Sequence, residues 1–255
     1  MKLVAILRIK DEVLVVRDCL SKLSALTDEI IILDNGSTDG TLAVYREFNK
    51  IVKLLNTEGY HEGRDKCLLL EEAKKRNPDW IIWIDGDEVF ESHFTREIVE
   101  KYMNSRYNKI SFKLYNLWLS STLFRVDGPL FAYTMRAQRD MWRNLPSGYF
   151  SPKKMHNGAI RAIPGPTYIS PYRLKHFGAF NKTKLQEKYQ RYLLEDKSGE
   201  RSYKHMNPDV KTIRLKLREF KNKHINLIYI VIYKYLTELV RYAMIATTKI
   251  KMSLK

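Results

Sequence analysis

Two cysteines in 255 residues, Cys19 and Cys67, are too few and too isolated to build a disulfide framework or a thiolate metal site. Neither has a partner at metal-ligand spacing, so both are expected as buried thiols in a reducing compartment. A secretory leader is also missing: the apolar start Leu3 to Leu7 is short and runs straight into Arg8 and Lys10, which suits a first strand. A cytoplasmic location is therefore expected. Acidic residues are scarce, 29 against 45 basic ones, and the formal charge of +16 implies attraction to something acidic: nucleotide phosphates, nucleic acid or an anionic membrane. No recognised nucleic-acid motif is present and much of the basic charge clusters near the carboxyl terminus, so a nucleic-acid partner is not expected. Ile225 to Ala246 is long enough for a membrane span, but Lys234, Glu238 and Arg241 interrupt it at helical spacing, which disfavours a single crossing. A hydrophobic fraction of 44% with 12% aromatics excludes a disordered chain, and the length suits one sizeable domain.

The most informative stretch runs from Pro78 to Glu88. Trp80 to Ile84 is aromatic and β-branched without polar interruption, as in a strand buried on both faces of an α/β sheet. Asp85-Gly86-Asp87-Glu88 follows at its carboxyl end, the edge where open α/β sheets bind ligands. Two carboxylates flanking a glycine can share a hard divalent cation, Mn2+ or Mg2+, which also engages substrate phosphates. A plain acidic turn after a strand would look the same, so the rest of the chain has to decide.

Leu3 to Ile9 reads as a strand, followed by Val13, Val16, Leu20 and Leu23 at helical spacing. Glu29 to Leu33 is a second strand closed by Asp34-Asn35-Gly36-Ser37-Thr38-Asp39-Gly40-Thr41, with a helix starting near Thr41. Ile51 to Leu55 is a third strand, and a helix spans about Glu62 to Arg76. This alternation predicts a parallel sheet with right-handed crossovers, placing Arg8, Asp34 and Asp85 along one crevice. In the Asp34 loop, a tight turn into a helix amino terminus would favour an anion, and Asp34 could accept from a base or ribose. Arg64 and Asp65, at the next helix start, offer a phosphate contact and a base contact, or simply a helix amino terminus with an acidic first turn.

Together these pieces resemble family 2 of the nucleotide-sugar glycosyltransferases, which have the GT-A fold. The matching residues are Leu7 to Glu12, Asp28 to Thr41, Gly63-Arg64-Asp65 and Trp83 to Glu88, and they cover roughly the first 100 residues. The resemblance implies a Rossmann-like, mostly parallel central sheet with a mixed acceptor region and carboxyl-terminal helices. It implies a nucleotide site of Arg8, Glu12, Asp34, Arg64, Asp65, Asp85 and Gly86, and a metal site of Asp85, Asp87 and His176. Lys10 departs from the asparagine frequent in relatives. The implied reaction is inverting transfer of a sugar from a nucleoside-diphosphate sugar, with UDP as the default nucleotide, to a saccharide or lipid-linked acceptor, in a metal-dependent enzyme.

In the second half, a helix is expected from Ser92 to Met103, a long strand from Lys109 to Leu119, a turn over Arg125 to Pro129, and a returning strand from Tyr133 to Gln138. Asp127, beside Arg125, is the first candidate for the base, and Asp140 the second; Glu88 is a weaker one. His156 stands where relatives often have His-Glu, but Asn157 follows. A helix over Asn181 to Glu195 is expected from Leu185, Tyr189, Tyr192 and Leu193. The expected division is a glycosyltransferase domain over 1–206, with halves 1–104 and 105–206, and a basic amphipathic extension over 207–255. Residues 211–250 would lie on an anionic membrane, or pack on the domain or a second copy. The competing classes are a metal-dependent sugar nucleotidyltransferase, against which the first strand lacks a glycine-rich phosphate loop, and a nucleic-acid-binding protein.

Overall fold

The structure, a computed structural model, describes residues 1–125, 137–154, 158–195 and 217–219. Trp80 to Asp85 form strand β4, five of its six residues buried, as an unbroken aromatic and β-branched run requires. Around it lie β1 (Leu3–Ile9), β2 (Glu29–Asp34) and β3 (Ile51–Asn56), all parallel, in the order β3-β2-β1-β4. The crossovers carry α1 (Val16–Leu26), the short α2 (Thr41–Tyr45) and α3 (Glu62–Lys75). Alternate residues of the strands enter two cores: Ala5, Leu7, Ile32, Ile82 and Ile84 in one, and Val4, Ile6, Ile31, Ile81 and Trp83 in the other. Both faces of the sheet are therefore apolar, and only the strand ends remain for polar chemistry.

The sheet then becomes mixed. It continues through β8 (Ala137–Arg143), β6 (Lys109–Asn116), β9 (Thr167–His176) and β5 (Glu88–Phe90), so that eight strands run β3-β2-β1-β4-β8-β6-β9-β5. The pairings β4·β8, β6·β8 and β5·β9 are antiparallel, whereas β6 and β9 run parallel. This is the GT-A type of arrangement expected, a Rossmann-like parallel half extended by a mixed half. Helix α4 (Arg96–Met103) starts later than the expected Ser92, because β5 pairs with β9 and takes up the chain directly after the Asp-Gly-Asp turn. The strand expected over Tyr133 to Gln138 falls largely outside the described residues; the described strand starts at Ala137.

Helix α5 (Lys182–Glu195) packs Leu185, with Tyr189 and Tyr192, against Trp118 and Ala179. Leu193, expected on that face, is exposed. A two-stranded ribbon joins β7 (Leu123–Arg125) to β10 (Leu217–Glu219). By compactness the chain divides into Met1–Asn222 and Lys223–Lys255. The second unit lies outside the described residues, as does all of the expected basic extension except 217–219. Among the described residues, no helix is long and apolar enough to cross a membrane. Cys19 is buried as expected, but Cys67 is only half-buried, at the margin of the core that holds Phe150, whose carbonyl its Sγ approaches at 3.7 Å.

Candidate active site

The carboxyl ends of β1, β2 and β4 are aligned in register: Arg8 is level with Leu33 on one side and with Asp85 on the other. This one edge gathers the side chains singled out in the first half of the sequence, and the mixed half adds groups that were not.

At the β2 end, Asp34 is buried and both of its oxygens are engaged. The Ser37 amide donates to Oδ1 at 2.6 Å, while the Ser37 and Tyr45 hydroxyls donate to Oδ2 at 2.8 and 2.6 Å. Asp34 therefore shapes its loop, and the neighbouring Asn35 reaches across the edge instead, donating to Thr57 Oγ1 at 2.8 Å and Asp65 Oδ2 at 3.0 Å. Two of the amides that could meet the expected anion are taken: Thr38 N donates to Asp11, and Thr41 N to Asp39. The start of α3 is closed in the same way. The amides of Glu62 and Gly63 donate to the Lys154 and Lys153 carbonyls, and Arg64 N donates to the His61 side chain. Gly63 is required there, since a Cβ would lie 2.4 Å from the Pro152 backbone carbon. Asp65 is fully buried and holds Arg64 through Nε at 2.9 Å.

At the β4 end, Arg139 of β8 organises the carboxylates. It donates to Asp85 Oδ2 at 2.8 Å and to Glu88 Oε2 at 2.6 Å, and its Nη2 also contacts Glu88 Oε1. Its guanidinium lies 4.2 Å from the centroid of the Trp83 ring, which also carries Lys66 Nζ at 3.7 Å. Burial pulls the Lys66 ammonium down to about 8. Asp85 is thus drawn toward Arg139, whereas the side chains close enough to share an ion are Asp87, Glu88 and His176. Both Glu88 oxygens already accept from Arg139, which leaves Asp87 and His176 as the accessible pair. Gly86 serves packing: a Cβ there would lie 2.8 Å from Ile9 Cγ1.

His176 ends β9, opposite Asn116 of β6 and Glu88 of β5. Its Nδ1 is 2.6 Å from Asn116 Oδ1, which fixes Nδ1 as the donor to that carbonyl oxygen. In the neutral ring Nε2 is then an acceptor, and it faces Asp87 Oδ2 at 3.0 Å. A proton on Nε2, or a cation shared by the two side chains, satisfies both groups at that separation. Gly178 keeps the space open, since a Cβ would lie 2.7 Å from His176 Nε2 and 2.8 Å from Asp87 Oδ2. This donor set fits a hard divalent cation completed by water and phosphate oxygens. Burial raises the Asp87 carboxyl, but His176 first, then Lys188 and Arg139, hold it well below the usual carboxylate range.

Helix α5 brings three further cations. Lys188 Nζ donates to His176 Nε2 at 3.1 Å. Lys184 Nζ pairs with Glu12 at 3.3 Å and also meets the Asp11 carbonyl. Arg191 lies 5.5 Å above the Tyr60 ring, on which Arg8 stacks at 4.9 Å. Burial, then the charge of Asp87, pushes the Glu12 carboxyl up to about 8 in spite of Lys184. The spacing of Lys184, Lys188 and Arg191 on one helical face was readable, but nothing in it names a target a hundred residues upstream.

Of the two base candidates, Asp127 lies outside the described residues, as does His156. Asp140 is buried and accepts from Ser111 Oγ at 2.5 Å; burial raises its carboxyl. The structure brings it to Ser111 of β6, not to the group around Asp87.

The fold and site define an α/β domain whose acidic and basic groups converge at the carboxyl edge of a parallel sheet. Residues 6–117 match the model of Glycosyl transferase family 2. Among solved structures, S. aureus TarS is similar at 14% identity and a TM-score of 0.46, over 77% of this chain and 40% of that one. TarS 1-349 in complex with UDP-GlcNAc is similar at 14% identity and a TM-score of 0.44, over 67% and 59% of the two chains. GalNAc-T7 with UDP, GalNAc and Mn2+ is similar at 11% identity and a TM-score of 0.46, over 69% and 44%. The chain thus spans less than two thirds of the length of these three structures. Comparison with curated proteins returns no match.

Proposed function

We propose that this protein is a cation-dependent, inverting glycosyltransferase that moves a sugar from a nucleoside-diphosphate sugar to a hydroxyl acceptor. The observation that carries the reading is that the family match over residues 6–117 ends in the mixed half just where Asn116 orients His176 toward Asp87. Asn35 and Asp65 take the base and ribose end of the donor, supported by Asp34, Thr57 and Arg64. Asp85 and Arg8 face the middle of the donor, and Asp87 with His176 would hold Mn2+ or Mg2+. The bound cation would supply charge neutralisation for the departing diphosphate.

In the transfer, the acceptor oxygen forms a bond to the anomeric carbon as the bond from that carbon to the phosphate oxygen breaks. The acceptor proton passes to a base, and the nucleoside diphosphate leaves with the electron pair. Asp127 is the proposed base, in the segment 126–136. The proposed acceptor is a saccharide or lipid-linked glycan precursor, with the basic stretch 211–250 drawing the protein to the anionic inner face of a membrane. The support for that attachment is the charge of +16. UDP is the proposed nucleotide.

The test is release of nucleoside diphosphate from UDP-, GDP- and dTDP-sugars with Mn2+ and a lipid-linked acceptor fraction, followed by NMR of the product's anomeric proton. Inverted product from one donor supports the reading. Release of pyrophosphate instead would identify a nucleotidyltransferase.

A further inference from the structure

Helix α5 presents Lys184, Lys188 and Arg191 on one face, at i, i+4 and i+7, and all three reach groups of the site just described. The adjacent face of the helix carries Leu185 into the small core with Trp118 and Ala179. Lys188 borders the cation position: its ammonium donates to His176 Nε2 at 3.1 Å, and it surrounds, with His176 Nε2 and Asp87 Oδ2, the point where a Cβ on Gly178 would lie. Lys184 neutralises Glu12 and binds the Asp11 carbonyl, in the loop that follows β1. Arg191 keeps a buried Nε with no hydrogen-bond partner among the described residues, and it stacks on the same Tyr60 ring as Arg8, whose Nη1 is also buried and unpartnered.

Three cations from one helix, with unpartnered N–H groups on Arg191 and on Arg8 of β1, form a site suited to an anion. We infer that α5 is the clamp for the donor's diphosphate, and that Lys188, which holds the His176 Nε2 a cation would use, transfers to a phosphate oxygen when cation and donor enter. The exchange conserves the favourable pairings. His176 trades an ammonium for a divalent ion, and the displaced ammonium trades an imidazole for the phosphate that the ion brings. It also makes the two ligands cooperative, because a cation alone must expel Lys188 with nothing to receive it. This inference rests on the nucleotide-sugar reading above, and Lys184, Lys188 and Arg191 act in it as substrate-positioning residues.

The experiment measures binding. Free Mn2+ is followed by its EPR signal, and the nucleoside diphosphate that the wild type prefers among UDP, GDP and dTDP is titrated alongside its monophosphate. The proteins are the full-length wild type, Lys188→Met and Lys184→Met, with circular dichroism and melting temperature as folding controls. Loss of a charge-assisted phosphate contact is expected to weaken diphosphate binding about ten- to a hundredfold. Monophosphate binding should weaken far less. Lys188→Met should bind Mn2+ without nucleotide more tightly than the wild type, an outcome that a merely structural lysine would not give. Lys184→Met, anchored separately to Glu12, should show the same loss of diphosphate preference and keeps the test open if Lys188→Met misfolds. Variants that bind the diphosphate as the wild type does, or that lose Mn2+ and diphosphate in parallel, would overturn the clamp. A wild type that binds no nucleoside diphosphate would instead overturn the donor reading beneath it.

Discussion

Arg8 and Asp85 sit opposite each other in register on neighbouring parallel strands, and each keeps one buried polar atom, Nη1 and Oδ1, without a hydrogen-bond partner among the described residues. Burial lowers the Arg8 guanidinium, but Asp85 first, then Tyr60 and Glu62, raise it above its ordinary value, so it stays charged. Buried polar atoms in native proteins are nearly always satisfied, and a facing pair left open at a ligand edge points to the donor.

Asp85→Asn keeps the shape of this edge and removes its charge. Donor affinity is expected to fall about tenfold or more, the usual size for one hydrogen bond to a charged group, with little change in melting temperature. Isothermal titration with the preferred nucleotide sugar checks it, and unchanged affinity would remove Asp85 from the donor site.

Arg139→Met leaves Glu88 buried without its cation. Breaking such a pair from one side typically costs about 3–5 kcal/mol, and urea unfolding should register a loss of that order. Adding Glu88→Gln should recover much of it. If the double variant is no more stable than the single one, Arg139 is not acting through Glu88.

Gly178→Ala places a methyl group 2.7 Å from His176 Nε2 and 2.8 Å from Asp87 Oδ2. The expected result is a folded protein that binds Mn2+ much more weakly, read by EPR. Normal binding would show that the cation sits elsewhere.

Glu29 accepts from Arg76 Nε at 2.8 Å and Nη2 at 2.9 Å, and pairs with Lys2 at 2.9 Å. Arg76 first, then Lys2, bring its carboxyl down to about 2 from 4.5. The folded value is depressed, so this stabilisation is complete above 4.5 and is lost as pH falls toward 2. Glu29→Gln should cost about 1 kcal/mol at neutral pH, as partly exposed ion pairs do, and should flatten the acid limb of stability against pH. An acid limb of unchanged slope would assign it to other carboxylates.

Much of the parallel half was legible because its physics is local. Uninterrupted β-branched runs such as Trp80 to Ile84 have to be buried strands, and parallel strands fix which ends hold Arg8, Asp34 and Asp85. The spacing of Asp85 and Asp87 pointed to a cation, but pairing decides which carboxylate stays accessible. Arg139, inserted beside β4 by an antiparallel strand more than fifty residues away, takes Asp85 and Glu88. Asp34 looked like a ligand contact because its loop looked open; the structure closes that loop on its own carboxylates and leaves the reach to Asn35. Helical spacing identified Leu185 as core, yet Leu193 of the same helix is exposed, since periodicity marks a face and not how far along it the domain extends.

On the proposed reading, the carboxyl edge of the parallel half binds a nucleoside diphosphate through a cation on Asp87 and His176. Its most direct test is a thermal-shift panel of UDP, GDP, dTDP and their sugars, with and without Mn2+, on the wild type and Asp87→Asn. The prediction is stabilisation by one nucleotide series that requires Mn2+ and disappears in the variant. Equal stabilisation of both proteins, or none by any nucleotide, would contradict it.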